Sequence, residues 1–126
     1  MTYRDFLLRI CVDAETEVRR AYTCPHKLKG ALRGIDEARE TVNPADLRGL
    51  LSSARQDTAD CLALAQAMGD PDDMIARYWI LRLRDQQLEW VATVVSAMLY
   101  NEGEKPIVPP TLRAWNKAAS ILGRGA

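Results

Sequence analysis

The sequence has few of the residues that mark sites of chemistry. It contains one histidine, one phenylalanine and three cysteines in 126 residues. No Gly-rich phosphate loop, serine elbow or paired-cysteine motif occurs in it. The three cysteines and His26 are the only Cys and His ligands for a zinc site, and Cys11 and Cys61 fall on apolar helical stripes, which fits small core residues better than zinc ligands. We therefore expect no catalytic residue, no metal and no cofactor.

The sequence also lacks an excess of charge of one sign, and it has no long apolar run. Seventeen basic residues balance seventeen acidic ones, which argues against a dedicated nucleic-acid binder. No apolar run approaches the roughly 18 residues that a membrane span needs, and charges near the N-terminus interrupt any signal core. An odd number of cysteines without framework spacing predicts reduced thiols. The length of 126 residues predicts one domain over 1–126, and these absences predict that it lies in the cytoplasm without membrane contact.

Apolar residues recur at the helical spacing of three and four residues. The predicted helices cover 3–22, 25–42, 44–68 and 71–100. Each starts at a capping residue or a proline: the capping box of Thr2 and Asp5, then Pro25, Asn43-Pro44 and Asp70-Pro71. Gly30 and Gly34 either weaken the second helix or let another helix approach it closely.

Residues 104–110 are rich in proline and are predicted to form an extended arm before a short C-terminal helix over 111–122. No segment reads as a strand. Because the turns are short, consecutive helices should be neighbours. The predicted fold is all-α, an antiparallel bundle of four to five helices around a long central helix over 71–100.

The long helix carries an apolar seam with one polar position. Positions 74, 78, 81, 85, 88, 92, 95 and 99 alternate in steps of four and three, and all are apolar in character except Asp85. A buried carboxylate without a partner costs several kcal/mol. We therefore expect Asp85 to pair with an arginine of a facing helix or to reach water near the end of the core, with a functional carboxylate as the alternative.

A second apolar stripe lies on the opposite side of this helix. It comprises Trp79, Ile80, Leu83, Trp90, Val91, Val94, Ala97 and Met98. A surface helix needs one apolar face, so the second stripe is either buried within the chain or contacts another chain. In the second case the protein is a homodimer that associates through Trp79, Leu83, Trp90 and Val94, since tryptophan is enriched where interfaces concentrate their energy.

Acidic residues form two motifs on consecutive helices. Asp36, Glu37 and Glu40 give D-E-x-x-E, and Asp57 and Asp60 give D-x-x-D. Carboxylates on facing helices can hold Mg²⁺. The motifs resemble the E-E-x-x-E and E-x-x-D pattern of the MazG-like all-α nucleoside triphosphate pyrophosphatases, with Asp at two positions where that family has Glu. The resemblance covers about residues 35–64 and implies a Mg-dependent enzyme.

Helical geometry favours a different interpretation of the same residues. Glu37 and Glu40 are predicted to lie opposite the core stripe of their helix, and Asp60 opposite that of the next, so the carboxylates face outward. We call Asp36, Glu37, Glu40, Asp57 and Asp60 the acidic face. Segregated charge in a neutral protein suits steered encounter with a charged partner.

The predicted function is therefore binding, without catalysis, of another protein that presents a basic groove to the acidic face. The protein would act as an inhibitor, adaptor or subunit. By analogy alone, small helical inhibitors of host machinery that phages and mobile elements encode are examples of such proteins. A second alternative is a nucleic-acid-associated regulator that uses the basic group at 19–33, although no recognition helix follows that group. This group comprises Arg19, Arg20, Lys27, Lys29 and Arg33.

Overall fold

The computed structural model describes the backbone of residues 2–102 and the side chains of residues 2–99. The helices within this part are α1 (Tyr3–Ala21), α2 (Pro25–Arg39), α3 (Pro44–Ala67) and α4 (Asp72–Glu102). The all-helical class is confirmed, and each helix starts within one residue of its predicted start. The predicted arm at 104–110 and the short helix at 111–122 lie outside the described residues. None of the four helices is both long and apolar enough to cross a membrane.

Local capping fixes where these helices begin and end. Thr2 and Asp5 form the predicted capping box of α1, and the Asn43 side chain accepts a hydrogen bond of 2.9 Å from the Asp46 N–H at the start of α3. After α3, Gly69 adopts a left-handed φ of 80°, and the Asp70 N–H reaches back to the Ala65 carbonyl at 2.8 Å. This is the Schellman pattern that ends many helices at a glycine.

The second helix is shorter than predicted. It ends at Arg39, where the Thr41 hydroxyl donates a hydrogen bond of 2.8 Å to the Ala38 carbonyl. That bond satisfies a carbonyl that a longer helix would have used. Val42, predicted to be an apolar position of this helix, is consequently 78% exposed.

The glycine pair of α2 allows close contact with α4. The Gly30 Cα lies against the Ile80 backbone, and a Cβ placed on Gly34 would stand 2.5 Å from the Arg84 carbonyl oxygen. The interpretation of the pair as a close-approach surface is therefore confirmed. From Gly30 to Gly34 along α2, the contacted residue of α4 moves from Ile80 to Arg84. Both helices thus advance by four residues in the same direction, so α2 and α4 run parallel where they touch.

The other two helices run opposite to the partners on which they pack. Along α3 and α4, the Thr58 hydroxyl donates to the Leu81 carbonyl at 3.1 Å, and the Cys61 thiol lies 4.0 Å from the Met74 carbonyl. Between α1 and α2, the Cys11 thiol lies 3.9 Å from the Ile35 carbonyl, and the Tyr3 hydroxyl bonds that of Thr41. Helix α4 packs against all three other helices and is the centre of the described fold.

The second stripe of α4 supplies much of the core. Leu83 is 3% exposed and Val94 is fully buried, while Trp90 packs against the core as a half-buried side chain. Burial within the chain therefore accounts for Leu83 and Val94, and neither is available as a surface contact. Trp79 is 40% exposed, and the Lys27 ammonium lies 4.6 Å from the centroid of its ring.

Asp85 is buried and paired. It is 3% exposed, and its Oδ1 lies 3.3 Å from Arg82 Nη1. The pairing agrees with the expected structural ion pair, but the arginine comes from the preceding turn of α4 itself and not from a facing helix. Arg82 is half-exposed, so its guanidinium reaches the buried Asp85 carboxylate from the surface of the protein.

Candidate functional site

One flank of α2 faces α3 across the surface of α4. Lys29, Arg33 and Glu37 recur every four residues and therefore share this flank. Lys29 and Arg33 line a groove that α3 and α4 complete, and Glu37 meets Asp57 of α3 at a common arginine. We call this space the α2–α3 groove. Its volume is about 470 Å³, which is within the usual range for binding sites.

Charged residues of both signs line the groove. Lys29 and Arg33 come from α2 and Arg77 from α4, whereas Asp57 and Asp60 come from α3. One wall is thus basic and the opposite wall is acidic. Such an arrangement recognises a partner by the placement of its charges more than by their sum.

The remaining lining of the groove is apolar. It consists of Cys61, Leu64, Met74, Ile80 and Leu81. Leu64 is 54% exposed, and Met68, the residue that caps the C-terminus of α3, is exposed to a similar degree. An apolar surface bordered by charges is the usual composition of a site that binds an amphipathic segment.

Arg84 lies one turn beyond Ile80 of the groove lining on α4 and binds the carboxylates of Glu37 and Asp57. Its Nη2 and Nε lie 2.7 and 2.8 Å from Glu37 Oε2, and its Nη1 lies 3.1 Å from Asp57 Oδ2. Burial alone would lower the pKa of Arg84, but the hydrogen bonds and charges of Glu37 and Asp57 outweigh burial and raise that pKa above its ordinary value. The guanidinium is therefore a permanent cation that joins α2, α3 and α4.

The five residues of the acidic face lie in different environments. Glu37 and Asp57 bind Arg84, and Glu37 also accepts a hydrogen bond of 3.0 Å from Arg33. Asp36 pairs with Arg39 at 3.2 Å, and Asp60 accepts a hydrogen bond of 2.8 Å from the amide of its own-helix neighbour Gln56. Glu40 is exposed at the end of α2. Asp36, Glu40 and Asp60 thus keep exposed carboxylates.

The outward orientation predicted for Glu37 is wrong. It is half-buried one turn after Gly34, because α2 packs on α4 through Gly30 and Gly34. This packing turns the flank next to the glycines toward α3. The acidic motifs of α2 and α3 therefore do approach each other, with Arg84 between Glu37 and Asp57.

The sequence interpretation did not single out Arg84. A signal was present, because the residues three and four positions away from Arg84 are Ile80, Leu81, Gln87 and Leu88. Arg84 thus has no acidic partner on its own helix, unlike Arg82, which has Asp85. A cation without such a partner on a buried helix has to find its carboxylates on neighbouring helices.

Much of the basic group at 19–33 is engaged in ion pairs. Arg19 pairs with Glu15 at 3.0 Å, Arg20 with Glu17 at 3.9 Å, and Arg33 with Glu37. Lys27 lies over the Trp79 ring. Lys27 and Lys29 form no ion pair with a described residue, and Lys29 also lacks an aromatic contact among the described residues.

The three cysteines are free thiols in contrasting environments. Burial raises the pKa of Cys11 to about 11, and Cys61 is buried as well. Cys24 is exposed at the N-terminus of α2, where the backbone N–H groups of Lys27 and His26 lower the pKa of its thiol by stabilising the thiolate. Because Cys24 is exposed, its thiol is open to reagents.

We expect alkylation by iodoacetamide at neutral pH to modify Cys24 about tenfold faster than Cys11 or Cys61, because Cys24 is exposed and its thiolate is stabilised, whereas Cys11 and Cys61 are buried. Peptide mass spectrometry over time measures the three rates separately. The Cys24→Ser variant should lose the fast phase and keep the slow ones. Equal rates at all three cysteines would contradict the burial assigned to Cys11 and Cys61.

Within the described residues, no three His, Cys, Asp or Glu side chains form a group that could hold a metal ion. The positive charge between Glu37 and Asp57 is the Arg84 guanidinium, which donates hydrogen bonds to both carboxylates. No protein family, curated protein or solved structure matches this chain.

Proposed function

We propose that this protein is a non-enzymatic helical interaction module, an inhibitor, adaptor or subunit, that binds another protein in the cytoplasm through its acidic face. The observation that carries the proposal is the α2–α3 groove. There the exposed carboxylate of Asp60 stands on the same helix as the exposed Leu64, above an apolar floor. All three cysteines are free thiols, which supports the proposal of a reducing compartment such as the cytoplasm.

The exposed carboxylates define which charges a partner meets first. Asp36 lies in the last turn of α2, Glu40 is the residue that caps the C-terminus of α2, and Asp60 lies on α3. Glu37 and Asp57 contribute less to the negative electrostatic field at the surface, because Arg84 neutralises part of their charge. Exposed charges act within a Debye length of about 8–10 Å, so the partner surface is expected to carry basic residues that approach Asp36, Glu40 and Asp60 at short range.

Reversing two of these charges should abolish complex formation without unfolding the protein. In the Asp36→Lys/Asp60→Lys variant both positions are exposed, so the free energy of unfolding should change by no more than about 0.5 kcal/mol. Affinity capture from the source cell, followed by quantitative mass spectrometry, measures the partner recovered with the wild-type protein and with the variant. Glu37 and Asp57 are left unchanged because they hold Arg84.

The matched control is Ala63→Lys, which adds a lysine at an exposed position of the same helix α3. This control should recover the partner at the wild-type level. Partner recovery that is unaffected by reversal of Asp36 and Asp60 would contradict the proposal.

A second candidate function is the Mg-dependent nucleoside triphosphate pyrophosphatase that the motif resemblance implies. The observation that favours it is the approach of Glu37 and Asp57 to one point between α2 and α3. The purified protein, incubated with Mg²⁺ and each nucleoside triphosphate, would release pyrophosphate, and Glu40→Gln would abolish the release. No release from any nucleotide would dismiss this candidate and leave the interaction module.

A further inference from the structure

We propose that the end of the α2–α3 groove farthest from Arg84 binds an acidic amphipathic helix of the partner protein. This inference rests on the proposed function and adds the chemistry of the partner segment. It uses the part of the groove formed by Lys29 of α2, Leu64 of α3 and the first turns of α4.

The floor of the groove presents a row of side chains at helical spacing. Met74, Arg77 and Leu81 line it at spacings of three and four residues along α4, which places them in one row about 10 Å long. A helix laid along this row presents its own side chains at the same spacing. It would place apolar side chains on Met74 and Leu81 and one intervening side chain over Arg77.

The charges near this row select an acidic residue for the intervening position. No described residue forms an ion pair with Arg77 or with Lys29, whereas Arg33 is already bound to Glu37. On the acidic wall, Asp57 is paired with Arg84 and Asp60 is hydrogen-bonded to Gln56. Lys29 and Arg77 are thus the cations with unused hydrogen-bonding capacity beside an apolar floor. A carboxylate placed there would form a charge-assisted pair that the surrounding apolar side chains partly shield from water.

The C-terminal part of this chain does not have the composition of the proposed occupant. Residues 105–126 contain four basic residues, Lys105, Arg113, Lys117 and Arg124, and no acidic residue. That segment would bring further positive charge to Lys29 and Arg77. The charge complementarity therefore points to a separate partner with carboxylates on its apolar face.

Designed helical peptides test the inference directly. The probe carries leucine, glutamate three residues later and leucine four residues after that, which matches the row of Met74, Arg77 and Leu81. Two further peptides have glutamine or lysine in place of glutamate. Fluorescence anisotropy should show the glutamate peptide binding about tenfold more tightly than the glutamine peptide, and the lysine peptide more weakly still.

Variants of the protein separate specific binding from general charge attraction. Arg77→Glu should remove the preference for the glutamate peptide, and Arg77→Gln should reduce it. The matched control is Arg9→Glu on α1, an equal charge change at an exposed arginine, which should leave the preference unchanged. Circular dichroism of all three variants should be identical, since Arg77 is exposed.

Equal binding of the glutamate and glutamine peptides would overturn the inference, and so would an Arg77→Glu variant that keeps the preference for glutamate. A third contradicting result is displacement of the glutamate peptide by a single-stranded oligonucleotide more readily than by unlabelled peptide. The last result would assign the groove to nucleic acid. Failure of this test and failure of the proposed function are distinguishable, because capture of the partner is measured on Asp36 and Asp60 while the peptide preference is measured on Arg77.

Discussion

Gly34→Ala is expected to lower the free energy of unfolding by about 2 kcal/mol, although the same exchange usually stabilises a helix interior by about 1 kcal/mol. The reversed sign comes from the contact between α2 and α4. A Cβ on residue 34 would stand 2.5 Å from the Arg84 carbonyl oxygen, and a backbone atom cannot rotate away as a flexible side chain can. The two helices would have to separate, which would also strain the contact between Arg84 and Glu37.

The matched control is Gly49→Ala on α3. A Cβ placed at Gly49 would meet no atom of another helix within 4 Å, so this change should raise the free energy of unfolding by up to about 1 kcal/mol. Urea denaturation of both variants measures the two values under the same conditions. Stabilisation by both substitutions would contradict the close contact of α2 with α4.

Arg84→Met should also lower the free energy of unfolding by about 2 kcal/mol. Removing one partner of a fully buried ion pair costs about 3–5 kcal/mol, but the Glu37 and Asp57 side chains retain 26% and 55% of their exposure, so water recovers part of that loss. Arg84→Lys should cost less, about 1 kcal/mol, because lysine keeps the charge but cannot bridge both carboxylates with a planar fork.

A double-mutant cycle tests whether Glu37 is the reason for this loss. In the Glu37→Gln background, Arg84→Met leaves fewer unpaired charges, so its effect should fall by about 1 kcal/mol or more. Chemical denaturation at neutral pH of the wild type, both single variants and the double variant supplies the four values. Strictly additive effects would mean that Arg84 stabilises the fold by packing alone.

Local signals predicted the helices well because helix ends depend on nearby residues. The capping box at Thr2, the proline after Asn43 and the glycine at position 69 act within one turn of the backbone. The end of α2 was misplaced by three residues, since the cap made by the Thr41 hydroxyl is not distinguishable in the sequence from a continued apolar pattern.

The arrangement of the groove was less predictable because it depends on contacts between distant helices. Periodicity placed Glu37 opposite the core, yet the glycine contacts of α2 turn it toward Arg84, 47 residues away in the chain. The same limitation applies to Leu83 and Val94, whose apolar stripe did not reveal whether this chain or another covers it. For Asp85, by contrast, the spacing of three residues from Arg82 was present in the sequence.

Carboxylate labelling of the isolated complex is the most direct test of the claim that the acidic face beside the α2–α3 groove is the partner-binding surface. Carbodiimide coupling followed by peptide mass spectrometry reports the accessibility of each carboxylate in the free and bound protein. We expect Asp36, Glu40 and Asp60 to lose labelling when the partner is bound, while Asp13 on α1 is labelled equally in both states. A complex in which Asp36, Glu40 and Asp60 remain labelled as in the free protein would contradict this claim.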